Sequence, residues 1–170
     1  MPAEWESHEA TWLSWPKDPE TWPDRVPKAQ EVFSRMIEEL TPREKVHLLV
    51  DDETAERGVR EKLSQRNLNE KNLFLHHIKT ADSWIRDYGP NFIVGARSPR
   101  PQMASGAETA PLQAYNGWIF NAWGEKYETL MADNGIPKRI SPLLNLPLFE
   151  PGIVLEGGSI DVNGAGSVLT

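Results

Sequence analysis

The sequence predicts an α/β fold, and three observations predict it. Short apolar runs of strand length alternate with segments of helical periodicity. Cap and turn residues punctuate the boundaries between them. The composition is that of a globular domain: 170 residues, 39% hydrophobic and 25% charged, long enough to bury a real core.

Residues 1–26 are rich in Pro and Trp and read as an extended, loop-dominated segment. A helix is predicted over 28–40, with Pro27 at its first position and Val32, Phe33, Met36, Ile37 and Leu40 on one stripe. Thr41-Pro42 ends it. Val46–Val50 is a buried-strand run. Asp51 or Asp52 can cap a second helix through about residue 66, with Ala55, Val59 and Leu63 inward. Leu73–Ile78 and Asn91–Ala96 read as strands, and residues 97–111 as a flexible Ser/Pro/Gly/Ala-rich excursion. A strand over Tyr115–Asn121 precedes a short helix around 127–134, ended by Asn134-Gly135. Gly152–Leu155 and Ser159–Val162 read as strands, and Asn163-Gly164 turns the latter into a hairpin with Ser167–Thr170. An apolar hairpin strand leaves an edge that domains usually cover. We therefore expect a chain cut from a longer domain.

Charge and composition exclude several classes. The net charge is −7 and no Lys/Arg-rich run occurs, which argues against nucleic acid as a partner. An acidic balance suits a cationic small substrate, though it serves solubility equally. No apolar run approaches the roughly 20 residues of a membrane span. The N-terminus shows no basic-then-apolar leader, so a cytoplasmic location is expected. The chain has no cysteine, so it contains no disulfide, thiolate metal site or cysteine nucleophile. It has seven tryptophans, four of them within the first 22 residues. Most are expected as core anchors; an aromatic wall around a cation is the alternative.

Trp84-Ile85-Arg86-Asp87-Tyr88-Gly89-Pro90 is the leading chemical motif. An indole and a carboxylate together suit a planar guanidinium, which stacks on aromatic faces and donates paired N–H bonds to carboxylates. As alternatives, Asp87 is a turn aspartate, and Trp84 a core anchor. Arg86 is expected in a structural ion pair. In Leu155-Glu156-Gly157-Gly158-Ser159 a glutamate meets two glycines that permit close backbone approach. That glutamate either faces a cleft or sits exposed on a bulge. His76 and His77 alternate on a strand and so face opposite sides, a poor metal pair. His47 reads as structural, and His8, close to Glu6 and Glu9, does not make a site by spacing alone.

The segments Trp84–Pro90, Phe120–Tyr127 (Phe-Asn-Ala-Trp-Gly-Glu-Lys-Tyr) and Leu155–Ile160 (Leu-Glu-Gly-Gly-Ser-Ile), together with the opening Met1–Pro16, resemble agmatine deiminases. These belong to the Porphyromonas-type peptidylarginine deiminase family of guanidine-modifying enzymes. The four motifs occur in the family's order, with Ser7 where the pattern has proline. The resemblance implies a partial five-bladed α/β propeller (pentein-like), with only the N-terminal blades present. Residues 1–170 would be the N-terminal part of a single deiminase catalytic domain.

The family hydrolyses a guanidinium to a ureido group and ammonia without metal or cofactor. A cysteine thiolate attacks the guanidinium carbon, ammonia leaves, and water cleaves the thiouronium while a histidine moves protons. By resemblance Asp87 holds guanidinium nitrogens beside Trp84, and Glu156 supports the catalytic histidine. The family's Gly-His-x-Asp segment and late cysteine have no counterpart in this sequence. The expectation is a chain that holds the substrate and is inactive alone, with a complementing C-terminal segment or a homo-oligomer as its partner. Trp123 and Glu125 suit the cationic tail of agmatine, whereas arginine substrates would call for a cationic partner; Lys126 weakens that preference. The alternatives are a peptidylarginine deiminase-like enzyme and a non-catalytic guanidinium- or polyamine-binding fragment.

Overall fold

A computed structural model describes residues 3–6, 9–94 and 113–170. The first unit is β1 (Ala10–Ser14), α1 (Val26–Leu40), β2 (Lys45–Val50), α2 (Glu53–Leu63) and β3 (Leu73–His77). Its three strands are parallel in the order β1-β2-β3. Strand β1 lies within the segment expected to be loop. It reads poorly as a strand because Pro16 and its tryptophans obscure the alternation, and its pairing with Lys45–Leu49 supplies what the local pattern lacks.

Helix α1 begins two residues earlier than expected, at Val26, with Pro27 in its first turn, where no N–H partner is lost. Its inward stripe is also rotated. Ala29, Ser34 and Ile37 are buried and Phe33 and Leu40 pack beside them, whereas Val32 and Met36 are exposed. Helix α2 is capped by Asp52, whose carboxylate accepts the Thr54 and Ala55 N–H groups at 2.9 Å. It buries Val59 and Leu63 and ends at Leu63. Both helices cover one sheet face, where Ile37, Val59 and Leu63 meet Leu13, Val46, Leu48 and Val50. On the opposite face Trp12 stacks on His47 at 4.4 Å, and His47 on Phe74 at 5.1 Å. His47 Nδ1 and His76 Nε2 share a 2.8 Å hydrogen bond. Burial disfavours the charged imidazole and drops His47 to about 4. His77 points the other way, to Glu56.

Beyond β3 lies α3 (Ile85–Tyr88), a single turn. The second unit pairs β4 (Asn91–Val94) antiparallel to β5 (Gln113–Asn116), and β5 parallel to β6 (Leu148–Phe149). The expected excursion at 97–111 lies outside the described residues. The strand expected to reach Asn121 stops at Asn116, leaving only a bridge from Ile119 to Val154, and Gly152–Leu155 forms no more than that bridge. α4 (Ala122–Glu125) is a turn of unusual hand. The helix expected near 127–134 is a 3-10 segment, Glu128–Gly135. That segment ends at Gly135, as expected, and the chain passes directly into α5 (Ile136–Leu144), which holds Pro137 and Pro142. The expected hairpin forms from β7 (Asp161–Val162) and β8 (Val168–Leu169).

The two units share a second apolar cluster, in which Leu49 and Ile78 meet Tyr88, Phe120, Leu130, Ile136 and Ile140. The tryptophans divide: Trp12 packs against this cluster, Trp22 and Trp118 are half-buried, and three of the seven are exposed. Trp15 is the buried one, Trp5 is 77% exposed, and Trp84 and Trp123 are exposed by 37% and 38%. No helix among the described residues is long and apolar enough to cross a membrane.

Candidate functional site

The loop after β3 is held by a buried polar network. The Asp133 carboxylate accepts the Ala81 and Asp82 N–H groups at 2.5 and 3.0 Å. The Asp82 carbonyl accepts the Tyr88 and Ser14 hydroxyls at 2.7 and 3.2 Å. Burial raises Asp133 and Tyr88 above their ordinary values. The bonds that satisfy these groups also fix the backbone on both sides of Trp84.

From that base α3 presents Trp84 and Asp87 together. They are three residues apart in a helical turn, and Asp87 N–H donates to Trp84 O at 2.9 Å. The 3-10 turn Gly157–Ser159 packs directly on α3. A Cβ at Gly157 would overlap Arg86 O, and one at Gly158 would overlap Asp87 Oδ1. Glycine is thus required at 157, where backbone meets backbone, whereas at 158 the opposing atom is the end of the Asp87 side chain. The Asp87 carboxyl is raised above 3.8, first by burial and then by the charge of Glu156, while the Gly158 N–H pulls it down. Arg86, though adjacent, is taken by an ion pair with Glu4. Asp87 and Glu156 are therefore neighbouring carboxylates, and the Arg86 charge offsets only part of the shift on Asp87.

Trp123 completes the cluster. Its ring meets Trp84 edge-on at 6.1 Å and 83°, and it also touches Phe120 at 5.5 Å and Tyr127 at 6.0 Å. The turn that carries it is left-handed throughout: φ is 51° at Ala122, 57° at Trp123, 82° at Gly124 and 63° at Glu125. Each non-glycine residue there costs about 1–2 kcal/mol. Asn121 Oδ1 offsets part of this by accepting the Gly124 N–H at 3.0 Å. Such strain is characteristic of segments that hold a side chain for use.

The four residues singled out from sequence, Trp84, Asp87, Trp123 and Glu156, thus form one contiguous cluster from three separate segments. Sequence reasoning missed Trp22, which stacks on Trp84 at 6.0 Å and 18°. No spacing links it to a motif sixty residues on. Cavities of about 340 Å³, beside His77 and Arg139, and about 270 Å³, beside Trp118 and Glu150, lie away from this cluster.

The described residues thus form an α/β scaffold on which two carboxylates lie beside partly exposed indole rings. The family profile for Porphyromonas-type peptidyl-arginine deiminases matches residues 1–170, and the chain belongs to that family. It is 33% identical over 174 aligned residues to an agmatine deiminase of Medicago truncatula, covering 100% of this chain and 43% of that one. It is 31% identical to the agmatine deiminase of Ectopseudomonas mendocina, covering 100% of this chain and 42% of the relative. The solved agmatine deiminase of Enterococcus faecalis superposes with a TM-score of 0.78 at 25% identity, over 99% of this chain and 42% of that structure. The chain thus spans less than half the length of these relatives.

Proposed function

We propose that this chain supplies the guanidinium-binding part of an agmatine deiminase, which converts agmatine and water to N-carbamoylputrescine and ammonia. The observation that carries this is the pairing of Asp87 with Glu156 beside Trp84 and Trp123. The charge of Glu156 raises the proton affinity of the Asp87 carboxylate, and a cation held between them relieves that repulsion. A guanidinium meets that need in a plane, donating N–H bonds to Asp87 while its face lies against an indole. The Gly158 N–H on Asp87 fixes the carboxylate's orientation. Glu156 belongs with the proton-transfer group of the complete enzyme, and Trp123 with the substrate's chain and distal amine.

The nucleophile is a thiolate, and this sequence contains no cysteine. In the complete enzyme it attacks the guanidinium carbon, ammonia departs with a proton delivered by a histidine, and water then cleaves the carbon–sulfur bond. Residues 1–170 accordingly bind and do not turn over. Within that enzyme the two sheet units are blades of a five-bladed propeller, in a cytoplasmic protein of putrescine synthesis.

Calorimetric titration tests this directly. Agmatine is expected to bind the purified chain more tightly than putrescine, which lacks the guanidinium, or arginine, which adds a carboxylate. Undiminished agmatine binding by Asp87→Asn would overturn the anchor role. Ammonia release from agmatine by the purified chain would overturn its inactivity.

A further inference from the structure

Given the guanidinium role proposed for Asp87 and Trp84, on which this depends, we infer that Thr21 and Trp22 are positioning residues that set the Trp84 indole for the ligand. Residues 18–22 form a strap against the loop that carries Trp84. The strap is rigid in itself. Asp18 accepts the Glu20 N–H at 3.0 Å and sits 3.1 Å from the Thr21 hydroxyl, and its carbonyl accepts the Trp22 N–H at 3.0 Å. It grips the loop at two points. Thr21 Oγ1 lies 2.5 Å from Asp82 Oδ2, closer than to Asp18, so its single proton is directed to Asp82. Asp82 is fully buried and held from other sides by Asp133, Ser83, Ser14 and Tyr88.

The second grip is the Trp22 ring, stacked near parallel on Trp84. It covers one face of that indole and leaves Trp84 still 37% exposed. Trp123 meets the same indole edge-on, so Trp84 is braced by two rings at roughly right angles.

The indole nitrogen of Trp22 shows which part of that side chain matters. It is buried and has no hydrogen-bond partner among the described residues. An unsatisfied buried donor is a cost. What Trp22 contributes is therefore its ring face, and a phenyl ring should replace it. A donor role for the nitrogen, toward ligand or water, predicts the opposite.

The experiment is a double-mutant cycle read by agmatine calorimetry on the 170-residue chain. Trp22→Ala is expected to weaken binding by about threefold to tenfold, the range of an aromatic pair. In the Trp84→Ala background the same change is expected to do nothing more. Trp22→Phe is expected to bind within about twofold of the parent, as an aromatic ring retained at the stack. Unchanged binding in Trp22→Ala overturns the inference, as does an equal loss in the Trp84→Ala background, which marks a general structural effect. Loss of binding in Trp22→Phe overturns the ring-face assignment. If Trp22→Ala loses its far-UV helical signal, Thr21→Val takes its place in the cycle. Failure of the underlying role is distinct: the parent chain then does not bind agmatine, or Asp87→Asn binds as the parent does, and both proposals fall together.

Discussion

The two units of this chain are built by different rules. Residues 10–77 form a parallel sheet with two helices on one face, and most of their apolar side chains are buried where periodicity puts them, apart from Phe74 and the outer positions of α1. Residues 113–170 use short strands, 3-10 turns and a left-handed turn, and leave Phe149, Ile153, Val154 and Leu169 more than half exposed. The candidate cluster gathers where the two meet, with Trp84 and Asp87 on the loop after the first sheet and Trp123 and Glu156 from the second unit. A regular scaffold provides stability, and irregular backbone provides aim.

The largest expected effect breaks the scaffold. Leu48 on the central strand is fully buried, and Leu48→Ala should cost about 2–5 kcal/mol in urea unfolding. The cluster shared by Leu49, Phe120 and Ile140 predicts one transition for both units. Two separated transitions would show that they are independent.

The next changes strike the aim. Asp87→Asn removes a charge-assisted bond to the ligand, worth about 1.5–3 kcal/mol, so agmatine affinity should fall about tenfold or more. Its effect on stability has the opposite sign. Burial and Glu156 hold the Asp87 carboxyl above 3.8, so folding favours the protonated form. Stability from this group is complete below 3.8 and declines as pH rises through the elevated value. Asp87→Asn escapes that decline and should unfold later than the parent at neutral pH, with the gap closing toward pH 3.8. An equal or larger gap in acid would contradict the assignment.

Gly158→Ala pushes the Asp87 carboxylate aside through its new methyl group, at small cost to stability because the opposing atom is the end of a side chain. It should weaken agmatine binding with little change in the far-UV spectrum of the first unit. The smallest scaffold effect is Asp52→Ala, which uncaps α2 at about 1 kcal/mol and should leave agmatine affinity untouched.

The same contrast explains what could be read from sequence. Helix α2 was legible because Asp52, Val59 and Leu63 act locally: a cap and a stripe carry their own meaning. The rotated face of α1 was not, because Val32 and Met36 are apolar and only tertiary packing decides that Ala29 and Ser34 go inward. Helix α5 was hidden by Pro137 and Pro142, two breakers that its first turn and its end tolerate. At the site, Asp87 and Glu156 were visible as motif residues, whereas their proximity was not. Trp22 was invisible, since stacking across sixty residues leaves no local signal.

Chirality gives the Ala122–Glu125 turn one more consequence. Its backbone is a mirror image of an ordinary helical turn, so the amino acids that fit it best are those the ribosome does not use. Gly124, at φ 82°, has open space where an L-residue's Cβ would go, so the cost of an L-residue there is purely conformational. In a chain assembled by chemical ligation, D-alanine at 124 should raise stability by about 0.4–1 kcal/mol by restricting the unfolded chain. L-Alanine at the same atom count should lower it by about 1–2 kcal/mol. Thermal unfolding of the two diastereomers would weigh handedness alone at this one turn.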